Sequence, residues 1–548
     1  MYLLENPVLQ RELLTNLRMT RAFVLLFFYI ALLGGIVYLA WPQEQRIDMA
    51  RSQSAKQLVD LFFLGQYMLA SLLAPSFAAG AITGEKERQS YEMLLASPLR
   101  PGAIVLGKLF ASLCHLAILM FCSLPIVMLC LPLGGVSAYE VVAAYFAMIM
   151  SVGLFGMISL WTSSIFRRTS ASLVVSYLLI LPLAIVSVLA WNQLGRSAEV
   201  RLLLVMTVVP IAYFSLGALM WHDACRRLLY PSDLGSEGKE VVDLETEARE
   251  AVGLYIKRDE FPDRLFAPPK RTTFLEDGEN PIYDKEMRSE IFAQGTLMLR
   301  LVIQISMALA LFVMGYCLFI RPEYAPWYIA YVLLFNVLVG PVFSAGSVTS
   351  ERERQTLDLL LTTLVTPWQM LWGKLLSGLR VSSVLTGFLL WPVVLACLMP
   401  PLGFWSHLPT IFGYFLVVAL CCLTTAMTAL FCSTVFHKSD TSLICAYLII
   451  IALFVGPLAA GFFANTFFQG SDSAGVVEKL GVLSPFAATF SLPLAMENGD
   501  SDGSGGLVSV ANTNLPLFFG FVAWSLAYNG LLLLAMIKLF QVRWRVAD

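Results

Sequence analysis

Two stretches of this chain decide its fold: FAAGAITGEKERQSYEMLL at 77–95 and FSAGSVTSERERQTLDLLL at 343–361. About half of their aligned positions are identical and most of the others are conservative. The register continues without a gap, so Pro101, Gly107 and Lys108 align with Pro367, Gly373 and Lys374. Upstream, ENPVLQRE at 5–12 is echoed by ENPIYDKE at 279–286; downstream, IFRRTSAS at 165–172 is echoed by VFHKSDTS at 435–442. Apolar helices match by chance at leucine. They do not match by chance at E-x-E-R-Q followed by Leu-Leu. The chain is an internal duplication.

What is duplicated is a membrane bundle. Of 548 residues 58% are hydrophobic and 14% charged, with a mean hydropathy of +0.74. A soluble domain carries about 25% charge, so a cytosolic enzyme, a disordered chain and a fibre are excluded. A crossing helix needs about 20 apolar residues. Such runs cover 22–41, 58–81, 103–131, 141–165, 171–191 and 201–222, and again 297–320, 326–348, 371–399, 409–435, 441–464 and 515–538. These are spans 1–12. The first is too long for a signal-peptide core and lacks a small-residue cleavage site. The ten cysteines show no C-x-x-C spacing, nine of them lie in apolar runs, and they read as small buried hydrophobes.

Basic residues fix the orientation. With the N-terminus cytoplasmic, only Arg46, Arg51, Lys56, Arg196, Arg201, Arg321 and Lys479 of the 36 Lys and Arg fall outside. Both termini are then cytoplasmic, which twelve spans require. Six spans per repeat is an even number, so the repeats are parallel, related by an axis along the membrane normal. The expected fold is an all-α polytopic membrane protein of about twelve transmembrane helices, two parallel six-helix repeats with pseudo-twofold symmetry. Its expected parts are a first repeat at 1–222, a polar cytoplasmic linker at 223–278, and a second repeat at 279–548 with a long outer loop at 465–514.

Two cytoplasmic elements recur. The first precedes each opening span: Asn6-Pro7 leads to Arg11 and Glu12, and Asn280-Pro281 leads to Lys285 and Glu286. Asn caps a helix, Pro suits its first turn, and an apolar stripe opposite charges suits a helix lying in the membrane interface. Anchoring at the headgroups alone would also account for it. The second element is the loop between spans 2 and 3, with Glu85, Glu87, Arg88 and Glu92, and its counterpart between spans 8 and 9, with Glu351, Glu353, Arg354 and Asp358. We expect a short helix capped by Thr83 or Thr349, with acidic residues in its first turn and Glu85–Arg88 as an i,i+3 pair. Its polar side suits a cytoplasmic partner; a solvated connector is the plainer alternative.

GEKERQSYEMLLASPLRPGAIVLGKLF and SERERQTLDLLLTTLVTPWQMLWGKLL resemble the loop after the second span in type-2 ABC-exporter permeases. The opening N-P-[VI]-x-x-x-E also resembles the amphipathic helix that starts those permeases. Gln89-Ser90 and Gln355-Thr356 stand where Gly-Thr is common there, which predicts a straighter helix. The resemblance covers both halves apart from the linker and the outer loops, and the chain looks like two half-permeases fused. It implies the transmembrane permease subunit of an ATP-driven exporter without an ATPase site of its own. The loop helices would be coupling helices docked on ATP-binding cassette subunits, as two copies or a heterodimer. It also implies a short helical hairpin at 465–514 dipping into the outer leaflet as a lid, and residence in a bacterial plasma membrane among its lipids.

Absent motifs agree. No G-x-x-x-x-G-K-[ST] phosphate loop and no H-E-x-x-H occur. The four histidines, His115, His222, His407 and His437, are scattered. No cofactor, metal, catalytic residue or nucleic-acid partner is expected. Within the spans, Gln66 and Asn336 could line a pathway, or could simply bond helix to helix. His115 and Arg380 lie about two turns into theirs, and Arg380 could snorkel to the surface. Two alternatives stay open: a secondary transporter with two parallel repeats, which would favour ionisable groups at mid-membrane, and a membrane anchor that recruits a cytoplasmic complex.

Overall fold

The structure, a computed structural model, describes residues 6–17, 52–87, 90–128, 137–166, 169–193, 198–229, 280–288, 325–363, 365–398, 408–467, 479–492 and 514–544, with scattered residues of 26–38 and 307–315 and Val477. The described residues are helical and contain no strand. Among the described residues ten helices are long and apolar enough to cross a membrane. Each falls on one of the runs expected from sequence. The other two runs are described only in part, half of 22–41 and five residues of 297–320, and Arg88 and residues 230–278 of the linker segment lie outside the described residues.

The chain divides into two compact units, Met1–Val241 and Val242–Asp548. In the first, Pro7–Leu17 is the entry helix; span 2 is Ser52–Ala78 continued by Gly80–Glu87, and a short loop helix Tyr91–Leu95 follows. Spans 3–6 are Pro101–Met128, Ala138–Ile165, Thr169–Gln193 and Ala198–Leu229. The second unit repeats the order. Its entry helix is Pro281–Arg288 and span 8 is Ala325–Ala345. Two short loop helices, Thr349–Glu353 and Leu357–Leu361, lead into span 9, Pro367–Leu398. Span 10 is Leu408–Val435, span 11 is Ser439–Phe454 continued by Gly456–Phe467, and span 12 is Leu515–Trp544.

The repeat extends to details that no apolar pattern reveals. Pro75 and Pro341 stand at matched positions inside spans 2 and 8. A proline inside a helix displaces backbone bonds, and in lipid a neighbour must satisfy the freed groups. In both units the same residue of a neighbouring span bonds the backbone beside the proline, at the carbonyl three residues before it. Tyr177 of span 5 donates to the Leu72 carbonyl at 2.8 Å, and Tyr447 of span 11 to the Leu338 carbonyl at 2.5 Å. Both tyrosines are fully buried.

The units differ at the connection between their last two spans. In the second unit this segment holds a tight turn, Leu480–Leu483, then Ser484 in extended conformation and a helix Pro485–Phe490. It packs on spans 8, 10 and 12. The Tyr414 hydroxyl donates to the Leu492 carbonyl, and Trp327 meets Phe490 edge-on at 5.1 Å. A side chain at Gly413 would come within 2.7 Å of Leu492, so the helices approach this closely only because the residue is glycine. The family resemblance implies a short helical hairpin within 465–514; of that loop the described part between spans 11 and 12, residues 479–492, holds this turn and one short helix, packed against the bundle.

Candidate functional site

The loops between spans 2 and 3 and between spans 8 and 9 each sit in a network of charges, and the two networks are built alike. At the centre is a buried lysine near the start of the next span, Lys108 at 2% and Lys374 at 1% exposure. Lys108 Nζ lies 2.9 Å from Glu12 of the entry helix and 3.4 Å from Glu85 of the loop. Lys374 Nζ lies 2.7 Å from Glu286 and 3.7 Å from Glu351, and also donates to the Ser347 carbonyl at 2.7 Å. A buried ammonium is tolerable only when paired and hydrogen-bonded. In the second unit Lys285 of the entry helix adds a further bond to Glu351 at 2.7 Å. Of the entry-helix residues named from sequence, Glu12, Lys285 and Glu286 thus face the loop network.

The entry helix is pinned by its first residue. Asn6 caps it, accepting from the Val8 amide at 3.1 Å, and donates to the Ala103 carbonyl of span 3 at 2.5 Å. Asn280 accepts from the Ile282 amide at 3.0 Å and donates to the Gln369 carbonyl at 2.7 Å. Room for this comes from the Gly of each Gly-Lys pair. A Cβ at Gly107 would lie 2.8 Å from Asn6 Nδ2, and one at Gly373 would lie 3.0 Å from the Tyr283 amide and 3.1 Å from Asn280. The motif N-P…G-K is therefore one joint, formed of residues about a hundred apart.

Three consecutive loop charges reach three different spans. Glu85 bonds Lys108 of span 3. Lys86 donates to the Ser163, Ser164 and Phe166 carbonyls at 3.1, 2.7 and 2.8 Å, closing the end of span 4. Glu87 accepts from the Thr169 amide at 2.8 Å, capping the start of span 5. The second unit does the same with Glu351 on Lys374, Arg352 on the Phe436 and Thr434 carbonyls at 2.5 and 2.6 Å, and Glu353 on the Ser439 amide at 3.0 Å. Helix ends leave carbonyls and amides without partners, and charges of the matching sign satisfy them. Beneath them, Ser163 accepts from the Ile82 and Thr83 amides, and Ser433 from the Val348 and Thr349 amides.

Three sequence expectations are corrected. Thr83 and Thr349 are not caps: both are buried, each bonding a carbonyl one turn back, Ala79 and Ala345. Glu85 and Glu87 lie in the last turns of the helix Gly80–Glu87, where the dipole disfavours acid, and Lys108 and the Thr169 amide offset that. Nor is the loop helix straightened by Gln355. This residue has φ +58, in the left-handed region, and splits the segment into two short helices. Thr356 then turns back to bond the Glu351 side chain and its carbonyl, and Ser90 does the same with Glu85.

Several loop residues face outward, Glu87 and Glu353 among them. Glu92 and Asp358 are exposed at matched positions, and Arg354 is exposed as well. Next to the acids stand Met93 at 79% and Leu359 at 69% exposure. Sequence reasoning missed this pair because both sit in Leu-rich runs that read as core. It also missed Lys86 and Arg352, whose partners lie about eighty residues away. Of the two mid-membrane amides, Asn336 spends its side chain on packing: it donates to Ser382, Thr386 and Cys422 and accepts from Thr425. Gln66 is buried, and neither of its amide atoms has a hydrogen-bond partner among the described residues. His115 stacks on Phe77 at 6.0 Å, and Arg380 does not simply snorkel, since it donates to the Tyr283 hydroxyl at 2.9 Å.

A chain of membrane-crossing helices carrying two copies of a charged, three-span loop joint is a polytopic membrane protein with an internal repeat. The model for ABC-2 family transporter proteins matches residues 7–199 and 269–541, and the chain belongs to that family. The match falls once on each repeat. No curated protein matches the chain.

Proposed function

We propose that this chain is the permease subunit of an ATP-driven exporter, powered by ATP-binding cassette subunits on separate chains. The observation that carries this reading is the duplicated loop joint, which ties one short surface element to three spans and the entry helix at once. A push on Tyr91–Leu95 or Leu357–Leu361 is passed through Glu85, Lys86 and Glu87, or Glu351, Arg352 and Glu353, to the ends of spans 3, 4 and 5 or 9, 10 and 11. ATP-driven closure of the partner would move these ends together and bias each bundle between two arrangements. Glu92, Arg354 and Asp358 are the charged residues of the docking face, with Arg88 beside them in sequence. Glu85 and Glu351 serve it from within, and the exposed Glu87 and Glu353 border it while capping spans 5 and 11. Both termini and both loops are cytoplasmic in this reading, the membrane is the bacterial plasma membrane, and the Leu480–Phe490 hairpin covers the outer side. Asn336 belongs to helix packing and not to the path, which also disfavours an ion-coupled carrier.

The test is reconstitution. The tagged chain, purified in mild detergent from its own cells, should bring with it a protein bearing a phosphate loop. Vesicles containing both should accumulate or lose lipid or solute only with ATP. Retention of the ATPase without any ATP-dependent movement would favour the anchor, and a proton or sodium gradient that suffices alone would favour the carrier.

A further inference from the structure

The chain leaves a few buried polar atoms without a bond, and they are unevenly placed. Among the described residues six buried side-chain nitrogen and oxygen atoms lack a hydrogen-bond partner, and three of them belong to neighbours on span 2, both amide atoms of Gln66 and the hydroxyl of Tyr67. Gln66 is 5% exposed. Hydrocarbon offers such groups no water, so each raises the free energy of the fold until something bonds it. The fold itself does not require them. In the repeat register Gln66 and Tyr67 correspond to Val332 and Leu333 of span 8, apolar and fully buried. Asn336, one turn further along span 8, has Ala70 as its counterpart, and neighbouring side chains bond both ends of its amide.

The pair is not isolated. Beside the Tyr67 hydroxyl stand those of Ser151 on span 4, Ser187 on span 5 and Tyr213 on span 6. Ser187 and Tyr213 bond each other at 2.9 Å, while Ser187 and Ser151 each donate to a carbonyl of their own helix, Leu183 and Ala147, at 2.8 Å. A hydroxyl that donates to its own helix still has lone pairs to offer. Phe155 of span 4 meets the Tyr67 ring edge-on at 6.0 Å. Tyr67, Ser151 and Tyr213 each stand near the middle of their helices. Four spans thus bring neutral donors and acceptors together deep in the apolar run, and none of these groups is charged. Nor is the cluster sealed. Ser187 and Tyr213 are only half-buried, and next to them in sequence Val186 and Phe214 are 60% and 65% exposed. The polar cluster therefore reaches an apolar surface between spans 5 and 6.

We propose that this cluster is a lateral binding site of the first unit for an uncharged lipid with a free hydroxyl, of the diacylglycerol class. The hydroxyl enters between spans 5 and 6 and bonds Tyr67 and Gln66, while the acyl chains stay in the bilayer. The chemistry of the cluster selects this class. A phosphate or carboxylate would be buried here without a counter-charge. A water-soluble polyol would bring more polar groups than the cluster can bond, across an apolar surface. One hydroxyl, donor and acceptor at once, matches an amide and a phenol. The second unit, apolar at the residues matching Gln66 and Tyr67, has no such site. The site is independent of the exporter proposal, since a cargo lipid and a resident lipid would bond it alike.

The experiment is native mass spectrometry of the full chain in detergent, titrated with dioleoylglycerol, with its methyl ether, which lacks the hydroxyl proton, and with dioleoylphosphatidylglycerol. One dioleoylglycerol per chain is expected, held about tenfold more tightly than either of the others, the scale of one buried hydrogen bond left unmatched. Y67F and Q66L should each weaken that binding by about tenfold and leave the hold on the ether as it was. Without lipid both variants should melt at or above the temperature of the unaltered chain, because an unbonded buried group has been removed. N336L, in the second unit, should melt lower yet keep the lipid preference. Equal affinity for the alcohol and its ether, a tighter hold on the phospholipid, or Y67F and Q66L chains that bind as the unaltered chain does would each overturn the proposal. So would lower melting of both variants without lipid, which would mean that bound water already satisfies the pair.

Discussion

Lys374 shows how much rests on one side chain. It is buried between two carboxylates, whereas Lys285, which bonds one of the same carboxylates, is 54% exposed along its side chain. Removing a buried charge strands its partners and costs about 3–5 kcal/mol. Losing an exposed pair costs about 1 kcal/mol or less. K374M should therefore lower the melting temperature of the purified chain far more than K285M. Adding E286Q and E351Q to K374M should restore part of the loss, because the stranded charges go with it. Equal effects of K374M and K285M would refute the asymmetry. The lysines were visible in the sequence as the end of a repeated Gly-Lys pair. Their burial was not, since the carboxylates that make it tolerable come from Glu12 and Glu85, or Glu286 and Glu351, in separate elements.

Among the elements, the loop segment holds the instructive departures from the sequence reading. Charge alternation in E-K-E and E-R-E looks like a solvated face, because periodicity reports spacing and says nothing of a partner eighty residues away. In the folded chain the first charge of each trio pairs with the buried lysine of the next span, the second closes one helix end and the third caps the following helix start. E353Q keeps an acceptor for the Ser439 amide and should melt as the unaltered protein does, while E353K, bringing a cation to a helix start, should melt lower. If the two variants melt alike, Glu353 is not acting as a cap. Gln355 invites a second measurement. A left-handed residue other than glycine costs about 1–2 kcal/mol, so Q355G should stabilise the chain or leave it unchanged and Q355V should destabilise it, as read by thermal melting. The absence of Gly-Thr suggested a straighter helix; what the sequence could not show is that the Thr356–Glu351 bonds hold the turn without glycine. A third case is the entry joint. G373A improves helix propensity by roughly 1 kcal/mol yet brings a methyl against Tyr283 and Asn280, so a net fall in stability is expected, and a rise would show the joint to be slack.

For the whole molecule, the duplication and ten of the spans were legible because lipid imposes one rule on every crossing segment, a long apolar run. The pathway residues were less so: Asn336 and Gln66 look alike in sequence, and only their neighbours distinguish a saturated amide from an unbonded one. The two compact units each contain their own loop joint and proline-satisfying tyrosine. Expressed as separate chains, 1–241 and 242–548 should each insert and yield protease-resistant cores, as followed by limited proteolysis in membranes; complete degradation of either would show that the units do not fold apart.

The seated hairpin at Leu480–Phe490 has a consequence for how such a chain can change. In a half-length protein that assembles with itself, any insertion appears twice, and a segment wedged by Tyr414 and Gly413 would have to be accommodated at both positions. Joining the copies in one gene lets an embellishment be carried once. It also fixes the two halves at a one-to-one ratio. The fused chain is free to diversify the connection between its last two spans in one half while the loop joints of both halves stay alike.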